Sequence, residues 1–146
     1  MYPQYASSST GSTIERVMEL MKSWEVIPEV NIINQFFEDP DYIKIIANNA
    51  LKHDLTNFDH FVFSFHGLPI RQINKVHPHR NCKTCNCDKE FKRETDYYCY
   101  KATCYENARL IAQELNIPQD KYTVGFQSRL DKDWLEPFAD KLMVKL

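Results

Sequence analysis

The chain has 146 residues, 43% of them apolar and 26% charged, so it is long enough for one folded domain and too apolar for a disordered one. Its formal net charge is −2 and its basic residues are spread along the chain, which argues against a nucleic-acid partner. It has no apolar run that could cross a bilayer and no secretory pattern at its start, so we expect a cytoplasmic location.

Helical and strand patterns alternate in the first part of the chain. Residues 12–21 begin with capping residues and continue with apolar residues at helical spacing, which predicts a helix. A short strand is predicted over residues 30–33, and Asp39-Pro40 begins a second helix, because proline suits a first helical turn. The apolar run from His60 to Phe65 barely alternates, which is typical of a strand buried on both faces.

The second part of the chain contains a segment without periodicity. The residues from about 74 to 100 are polar and rich in cysteine. This predicts an inserted loop that is stabilised by a bound metal rather than by a hydrophobic core. Helical spacing returns over residues 102–115, a strand is predicted over 122–126, and a last helix over 134–146. Alternating strands and helices predict an α/β fold with a mainly parallel sheet flanked by helices. Ligands of such folds bind at the carboxyl ends of the strands.

His66 follows the strand predicted before it, at the sheet edge where α/β enzymes place functional groups. Gly67 comes next and allows a turn or a close approach of a ligand to the backbone. A neutral imidazole binds divalent metals and takes up a proton near neutral pH. The alternative is a histidine that caps the turn and bonds to a neighbouring carbonyl.

All five cysteines lie in one short stretch of the chain. Clustered thiols in a cytosolic chain indicate a metal or cluster site rather than a disulfide framework. Thiolates at this spacing suit tetrahedral zinc and a 2Fe–2S cluster equally well. We expect four ligands, with Cys82, Cys85, Cys87 and Cys99 first and Cys104 as the substitute.

Two histidines add an alternative ligand set. His77 and His79 precede the cysteines and could replace a thiol if the metal is zinc, although two solvated histidines are the simpler interpretation. A set of plain reduced thiols is a further alternative. A stretch this polar has few apolar side chains that could pack it into an ordered structure, which favours a bound metal.

Four segments are similar to motifs of ferrochelatases, the enzymes that insert ferrous iron into a porphyrin ring. They occur in the family's order and span essentially the whole chain. The segments are Tyr2–Ser12, Phe37–Ile43, Ser64–Pro69, and Gly125–Arg129 with Trp134–Pro137.

The resemblance implies two similar flavodoxin-like halves with protoporphyrin IX bound in the cleft between them. Residues 1–56 would end the first half, and residues 57–146 would form most of the second. His66 would be the active-site histidine, which either binds the substrate Fe²⁺ or accepts protons from the pyrrole nitrogens. Some bacterial members carry a 2Fe–2S cluster in an internal insertion after this histidine. Ser7 stands where members with a cluster on a carboxyl-terminal extension have a cysteine, so the resemblance favours the internal arrangement.

The resemblance also implies substrate contacts. The expected porphyrin walls are aromatic or apolar: Tyr2, Tyr5, Leu68, Pro69, Phe126 and Trp134. The expected partners of the propionates are polar: Ser9, Thr10, Gln127, Ser128 and Arg129. Each has a structural alternative, since aromatic residues usually pack, serine and threonine cap helices, and arginine is often solvated.

Ferrochelatases have chains about twice this length, as expected for two linked domains. We therefore expect segments outside this sequence to complete the site, and little or no chelatase activity from this chain alone. The rival interpretations are a porphyrin- or cluster-binding module without catalysis, a cobalt or nickel chelatase of the same architecture, and a zinc-ribbon interaction protein. Peripheral contact with a membrane stays open.

Overall fold

The computed structural model describes residues 2–76 and 81–146. The chain begins with a π-helical turn and contains six α-helices and two strands among these residues. In chain order they are the π-turn Ser7–Gly11, α1 (Ser12–Met21), α2 (Pro40–Ala50), β1 (Phe61–His66), α3 (Ile70–Val76), α4 (Arg93–Asp96), α5 (Tyr100–Glu114), β2 (Tyr122–Gln127) and α6 (Ala139–Met143). Single 3₁₀ turns, Leu55–Asn57 and Gln119–Lys121, precede the two strands.

The start of α2 shows how local sequence sets a boundary. The Asp39 carboxylate accepts hydrogen bonds from the backbone N–H groups of Asp41 and Tyr42, both at 3.0 Å. These are donors that the first helical turn leaves without a backbone partner. Pro40 has no N–H to leave unpaired, so it suits the first helical position. The predicted second helix and its start at Asp39-Pro40 are confirmed.

The two strands form a parallel ribbon, which confirms the predicted α/β class. Their register runs from Phe61 opposite Tyr122 to His66 opposite Gln127, so both strands end at the same edge. Parallel strands need a crossover connection, and α5 lies in the connection between them. The expectation that β1 is buried on both faces is wrong, because Ser64 and His66 are exposed and its other residues are half-buried.

The core lies between α5 and the ribbon. The buried face of α5 is made mainly of small residues, which allows the helix to approach the strands closely. Phe126 of β2 is 1% exposed and contacts the rings of Phe65 and Tyr105. Asn107 on α5 accepts a hydrogen bond from the Gln4 side chain at 3.1 Å. This buried pair ties the opening segment to the core.

One predicted element is wrong, and another is longer in the prediction than in the structure. Residues 30–33 form no strand, and Ile33 is 67% exposed, because no described strand lies beside it to pair. The last helix is limited to α6. Trp134 instead forms an antiparallel bridge with Pro69, and the Leu135 N–H donates to the Leu68 carbonyl at 3.0 Å. These bonds require extended backbone, so tertiary pairing overrides the helical spacing of the apolar residues.

The cysteine segment also differs from its prediction. Helix α3 continues to Val76, within the stretch predicted to lack periodicity, and α4 adds one turn. Cys82 and Cys87 are each 5% exposed and Cys99 is 6% exposed, in the same buried cluster as Phe126. The segment is therefore packed on the core rather than separate from it. His77 and His79 lie outside the described residues. In the part of the chain that is described, every helix is too short or too polar to span a membrane.

Candidate functional site

His66 is the last residue of β1, and its side chain is exposed at the edge where both strands end. The Trp134 indole lies beside it, with the two ring centroids 6.5 Å apart and the planes at 69°. The carbonyl oxygen of His66 accepts a hydrogen bond from the Tyr100 hydroxyl at 2.8 Å. The backbone is thus held on the protein side while the imidazole lies at the surface.

Gly67 explains why the chain can turn directly after this histidine. Its N–H donates to the Gln127 carbonyl at 2.7 Å, which continues the ribbon by one bond. A Cβ at this position would lie 2.8 Å from the same oxygen and 3.4 Å from the Trp134 ring. A backbone oxygen cannot move aside as the end of a side chain can. The position therefore accepts only glycine without a shift of the strand ends.

Replacing Gly67 by alanine should lower the free energy of unfolding by about 1–3 kcal/mol, because the added methyl group forces two strand ends apart. Urea unfolding of the variant and the parent measures the loss. Gly11→Ala is the control, because its new Cβ would meet the end of the flexible Tyr5 side chain. Equal stability of the two variants would show that the close contact at Gly67 does not matter.

The opening segment lies against the turn that follows His66. Tyr5, Ser7, Leu68 and Tyr100 line one small cavity of about 10 Å³. Tyr5 is half-buried, with its ring 5.7 Å from that of Tyr98, and Tyr2 is 67% exposed. The segment is therefore on the same side of the ribbon end as Leu68.

The hydroxyl-bearing residues of the opening segment are in a helical turn. The Ser9 hydroxyl donates to the Ala6 carbonyl at 3.5 Å. Thr10 is 4% exposed, and its hydroxyl has no hydrogen-bond partner among residues 2–76 and 81–146. A buried hydroxyl without a partner is uncommon, so Thr10 differs from an ordinary helix cap.

The segment after β2 provides the other predicted contacts. Gln127 and Ser128 are exposed, and Ser128 has a φ of 62°, which turns the chain away from the strand. Pro69 and Trp134 line an open cleft of about 570 Å³. Arg129 forms an ion pair with the Asp140 carboxylate at 3.0 Å. Gln127 thus lies opposite His66 in the ribbon, and the cleft borders the residues that follow both strands, although His66 does not line it.

Two predicted substrate contacts are not supported by their placement. Phe126 lies in the core at 1% exposure and cannot form a porphyrin wall. Arg129 already has a carboxylate partner, and its guanidinium lies over the Phe138 ring at 4.3 Å. The position of Phe126 agrees with the packing alternative, whereas Arg129 is paired with a carboxylate rather than solvated.

Four of the five thiols, Cys82, Cys85, Cys87 and Cys99, lie near one another beside the start of α5. The Cys85 and Cys87 sulfurs are 3.3 Å apart, and the Cys87 and Cys99 thiols are hydrogen-bonded to each other. Cys82 interacts electrostatically with Cys85 and Cys99. None of these thiols is in a disulfide. Cys104 is fully buried further along α5.

The thiols differ in acidity. The hydrogen bond from Cys87 lowers the pKa of Cys99 to about 7. Burial raises the pKa of Cys82 to about 12, and the positive charge of Lys101 partly opposes this rise. Burial also raises the pKa of Cys104 well above its usual value. The bond from Cys87 therefore favours ionisation of Cys99, and thiolate is the form that binds metals.

The donor set fits a soft metal, although the side chains are not yet arranged around one point. Within the described ranges, no group of three or more His, Cys, Asp or Glu side chains has a geometry that would hold a metal ion. Four thiols are nevertheless the donors that zinc and iron–sulfur clusters prefer. Binding would require the thiol side chains to rotate toward a common centre.

Two residues of this region were not predicted from the sequence. Tyr100 bonds to the His66 carbonyl, and the Lys101 ammonium donates to the Cys82 carbonyl at 3.3 Å. Both directly follow Cys99, at the start of α5. The sequence predicted helical spacing only from residue 102, and the partners of these side chains are set by tertiary packing.

Comparison with known proteins gives one family over the whole chain. The family model described as Ferrochelatase matches residues 1–146. A ferrochelatase from Legionella pneumophila (strain Corby) is 37% identical over all of this chain and 43% of its own length. The ferrochelatases of Coxiella burnetii (strain RSA 493 / Nine Mile phase I) and Pseudomonas fluorescens biotype C are 35% and 32% identical, over 100% and 96% of this chain and 41% and 42% of their own lengths.

The chain thus spans about two fifths of the length of these curated relatives. The match covers the strand end with its histidine, the opening tyrosine segment and the cysteine group together. It agrees with the motif resemblance found in the sequence, and the chain belongs to the ferrochelatase family.

Proposed function

We propose that the protein containing this chain inserts Fe²⁺ into protoporphyrin IX to form protohaem, a lyase reaction of haem biosynthesis. The observation that carries this proposal is the exposed His66 at the ribbon edge, with Trp134 beside it, in a chain that matches ferrochelatases throughout. The relatives named above support the same reaction.

His66 would act on the substrate directly. Metallation removes protons from the pyrrole nitrogens and replaces water around the incoming iron. A neutral imidazole can accept a proton near neutral pH or bind Fe²⁺, and an exposed position allows either role. The carbonyl of the same residue is held by Tyr100, so the strand end is fixed while the ring contacts substrate.

The surrounding side chains would bind the porphyrin. A flat apolar ligand needs aromatic and aliphatic walls with a few polar groups to orient it. The residues proposed for the walls are Tyr2, Tyr5, Leu68, Pro69 and Trp134, and those proposed for the propionates are Ser9, Thr10, Gln127 and Ser128. The unpartnered buried hydroxyl of Thr10 supports a polar contact from that side.

This chain would supply part of a two-half protein. We assign residues 1–56 to the end of one half and residues 57–146 to most of the other, because the relatives are more than twice as long. The remaining sequence would complete the cleft, so the 146-residue chain alone should show little or no activity. A cytoplasmic location, with or without peripheral membrane contact, is part of the same proposal.

We also propose that Cys82, Cys85, Cys87 and Cys99 hold a 2Fe–2S cluster, with structural Zn²⁺ as the alternative. Their proximity and the lowered pKa of Cys99 support this set, and the burial of Cys104 makes it the substitute. A bound metal would cross-link the segment 81–99 to the start of α5, and a cluster would add a one-electron redox centre. Metal insertion into the porphyrin itself requires no electron transfer.

Porphyrin titration followed by tryptophan fluorescence tests the binding site. The protein has two tryptophans, and only Trp134 lies beside His66. We expect protoporphyrin IX to quench the emission of a Trp24→Phe variant and to quench a Trp134→Phe variant much less. Trp24, at 53% exposure after α1, is the matched control. Equal quenching of both variants would place the porphyrin elsewhere. Quenching without metallation in the complete gene product would indicate a binding module.

A further inference from the structure

Tyr100 connects the strand end that carries His66 with the helix start that follows Cys99. It is the first residue of α5 and directly follows Cys99, which precedes that helix. Its hydroxyl donates to the His66 carbonyl at 2.8 Å, across 34 positions of sequence. No residue lies between Cys99 and Tyr100, so a displacement of the thiol group at this helix start would move the tyrosine as well.

The other contacts of Tyr100 limit where its ring can lie. The ring is half-buried and lines the small cavity shared with Tyr5 and Leu68. Its hydroxyl also contacts the Cys104 thiol, one helical turn further along α5. Packing on these sides leaves the hydroxyl directed at the end of β1.

The His66 backbone depends on a small number of bonds at this point. The ribbon continues through the Gly67 N–H, which donates to the Gln127 carbonyl at 2.7 Å. The Tyr100 hydroxyl provides a side-chain bond to the last carbonyl of β1. Loss of that bond would leave the His66–Gly67 peptide held by the Gly67 N–H bond but not from its carbonyl side, while the ring of Tyr100 could keep its packing.

We propose that Tyr100 is a positioning residue for His66, through which the cysteine-bearing start of α5 sets the placement of the imidazole. This inference rests on the proposed function, because it assigns the regulation of the same site. Tyr100 itself is not proposed to contact the reacting atoms. Its action is to hold the backbone from which His66 reaches the substrate.

The test uses Tyr100→Phe in the complete gene product, because this change removes the hydroxyl and keeps the ring. We expect kcat for zinc insertion into protoporphyrin IX to fall about three- to tenfold, the effect of one hydrogen bond, with the porphyrin KM within about twofold. The control is Tyr122→Phe, a half-buried tyrosine at the opposite end of the ribbon. Tyr122→Phe should change neither kcat nor the porphyrin KM.

A second measurement is independent of activity. In protein labelled at histidine, the imidazole NMR signal of His66, assigned by its absence from His66→Ala, should shift in Tyr100→Phe and stay in place in Tyr122→Phe. Bound metal per chain should be equal in the parent and Tyr100→Phe. An unshifted His66 signal with parental kcat would overturn the proposal. Failure of the chelatase proposal would appear differently, as an absence of metallation in the parent.

Discussion

Replacing His66 by alanine should lower kcat for porphyrin metallation by about 10²- to 10⁴-fold in the complete protein, with a much smaller change in porphyrin KM. The reason is chemical, because the site would lose the group that accepts a pyrrole proton or binds the iron. The apolar groups that contact the ring would remain. Insertion of Zn²⁺ or Fe²⁺ into protoporphyrin IX, followed by absorption, measures the rate.

His53→Ala is the control for this loss. His53 is also an exposed histidine, and it follows α2, in a part of the chain with no proposed substrate contact. Circular dichroism of both variants should match the parent, because an exposed imidazole adds little packing. A His66→Ala protein that keeps a normal rate would remove this residue from the mechanism and leave the family assignment intact.

Replacing Cys99 by serine should reduce bound metal per chain at least about tenfold. Cys99 is the N-cap of α5, and serine is a favoured N-cap residue, so the helix start should tolerate the change. The lost group is one of the four proposed ligands, and the hydrogen bond from Cys87 favours its thiolate form. Metal analysis of freshly purified protein measures the effect, and its visible spectrum distinguishes a cluster from zinc.

Cys104→Ala provides the comparison for this result. Cys104 is fully buried and is the substitute in our ordering, so its removal should leave metal content unchanged and lower stability by about 1 kcal/mol for the small cavity. Loss of metal from Cys104→Ala but not from Cys99→Ser would reverse the ligand assignment. An absence of metal from the parent, with Cys99→Ser as stable as the parent, would favour plain reduced thiols.

Local patterns predicted the elements whose boundaries are set locally. The second helix begins where Asp39 and Pro40 indicate, because its cap bonds are made within the same turn. Both paired strands were also predicted, since each is an apolar run bounded by polar residues. The fold class follows from the alternation of these strands with helices. This alternation can be seen in the sequence without knowing which distant residues are in contact.

The errors occur where distant segments determine the backbone. Residues 134–138 have helical spacing, yet Trp134 is extended because it pairs with Pro69. Residues 30–33 have a strand-like composition, but the described structure gives them no neighbouring strand. In both cases the backbone depends on whether a segment distant in sequence pairs with it.

In the candidate site too, features set by local sequence were predictable and features set by distant contacts were not. The position of His66 at a strand end and the grouping of the thiols were predictable from spacing and residue chemistry. The core position of Phe126 was not, because the face of β2 that packs inward depends on α5. The hydrogen bond between the Tyr100 hydroxyl and the His66 carbonyl could not be predicted either, since it joins residues 34 positions apart through tertiary packing.

The two-stranded ribbon has an outer edge on each strand that pairs with no other strand in the described part of the chain, apart from a single bridge between Phe126 of β2 and Phe138. Backbone N–H and C=O groups along such edges recruit further strands, and two strands alone are marginally stable in water. The edges are thus ready templates for sheet growth. Additional strands from the same polypeptide would extend the sheet during folding. Without them, the same edges would favour intermolecular pairing, so aggregation should compete with folding when this chain is produced in isolation.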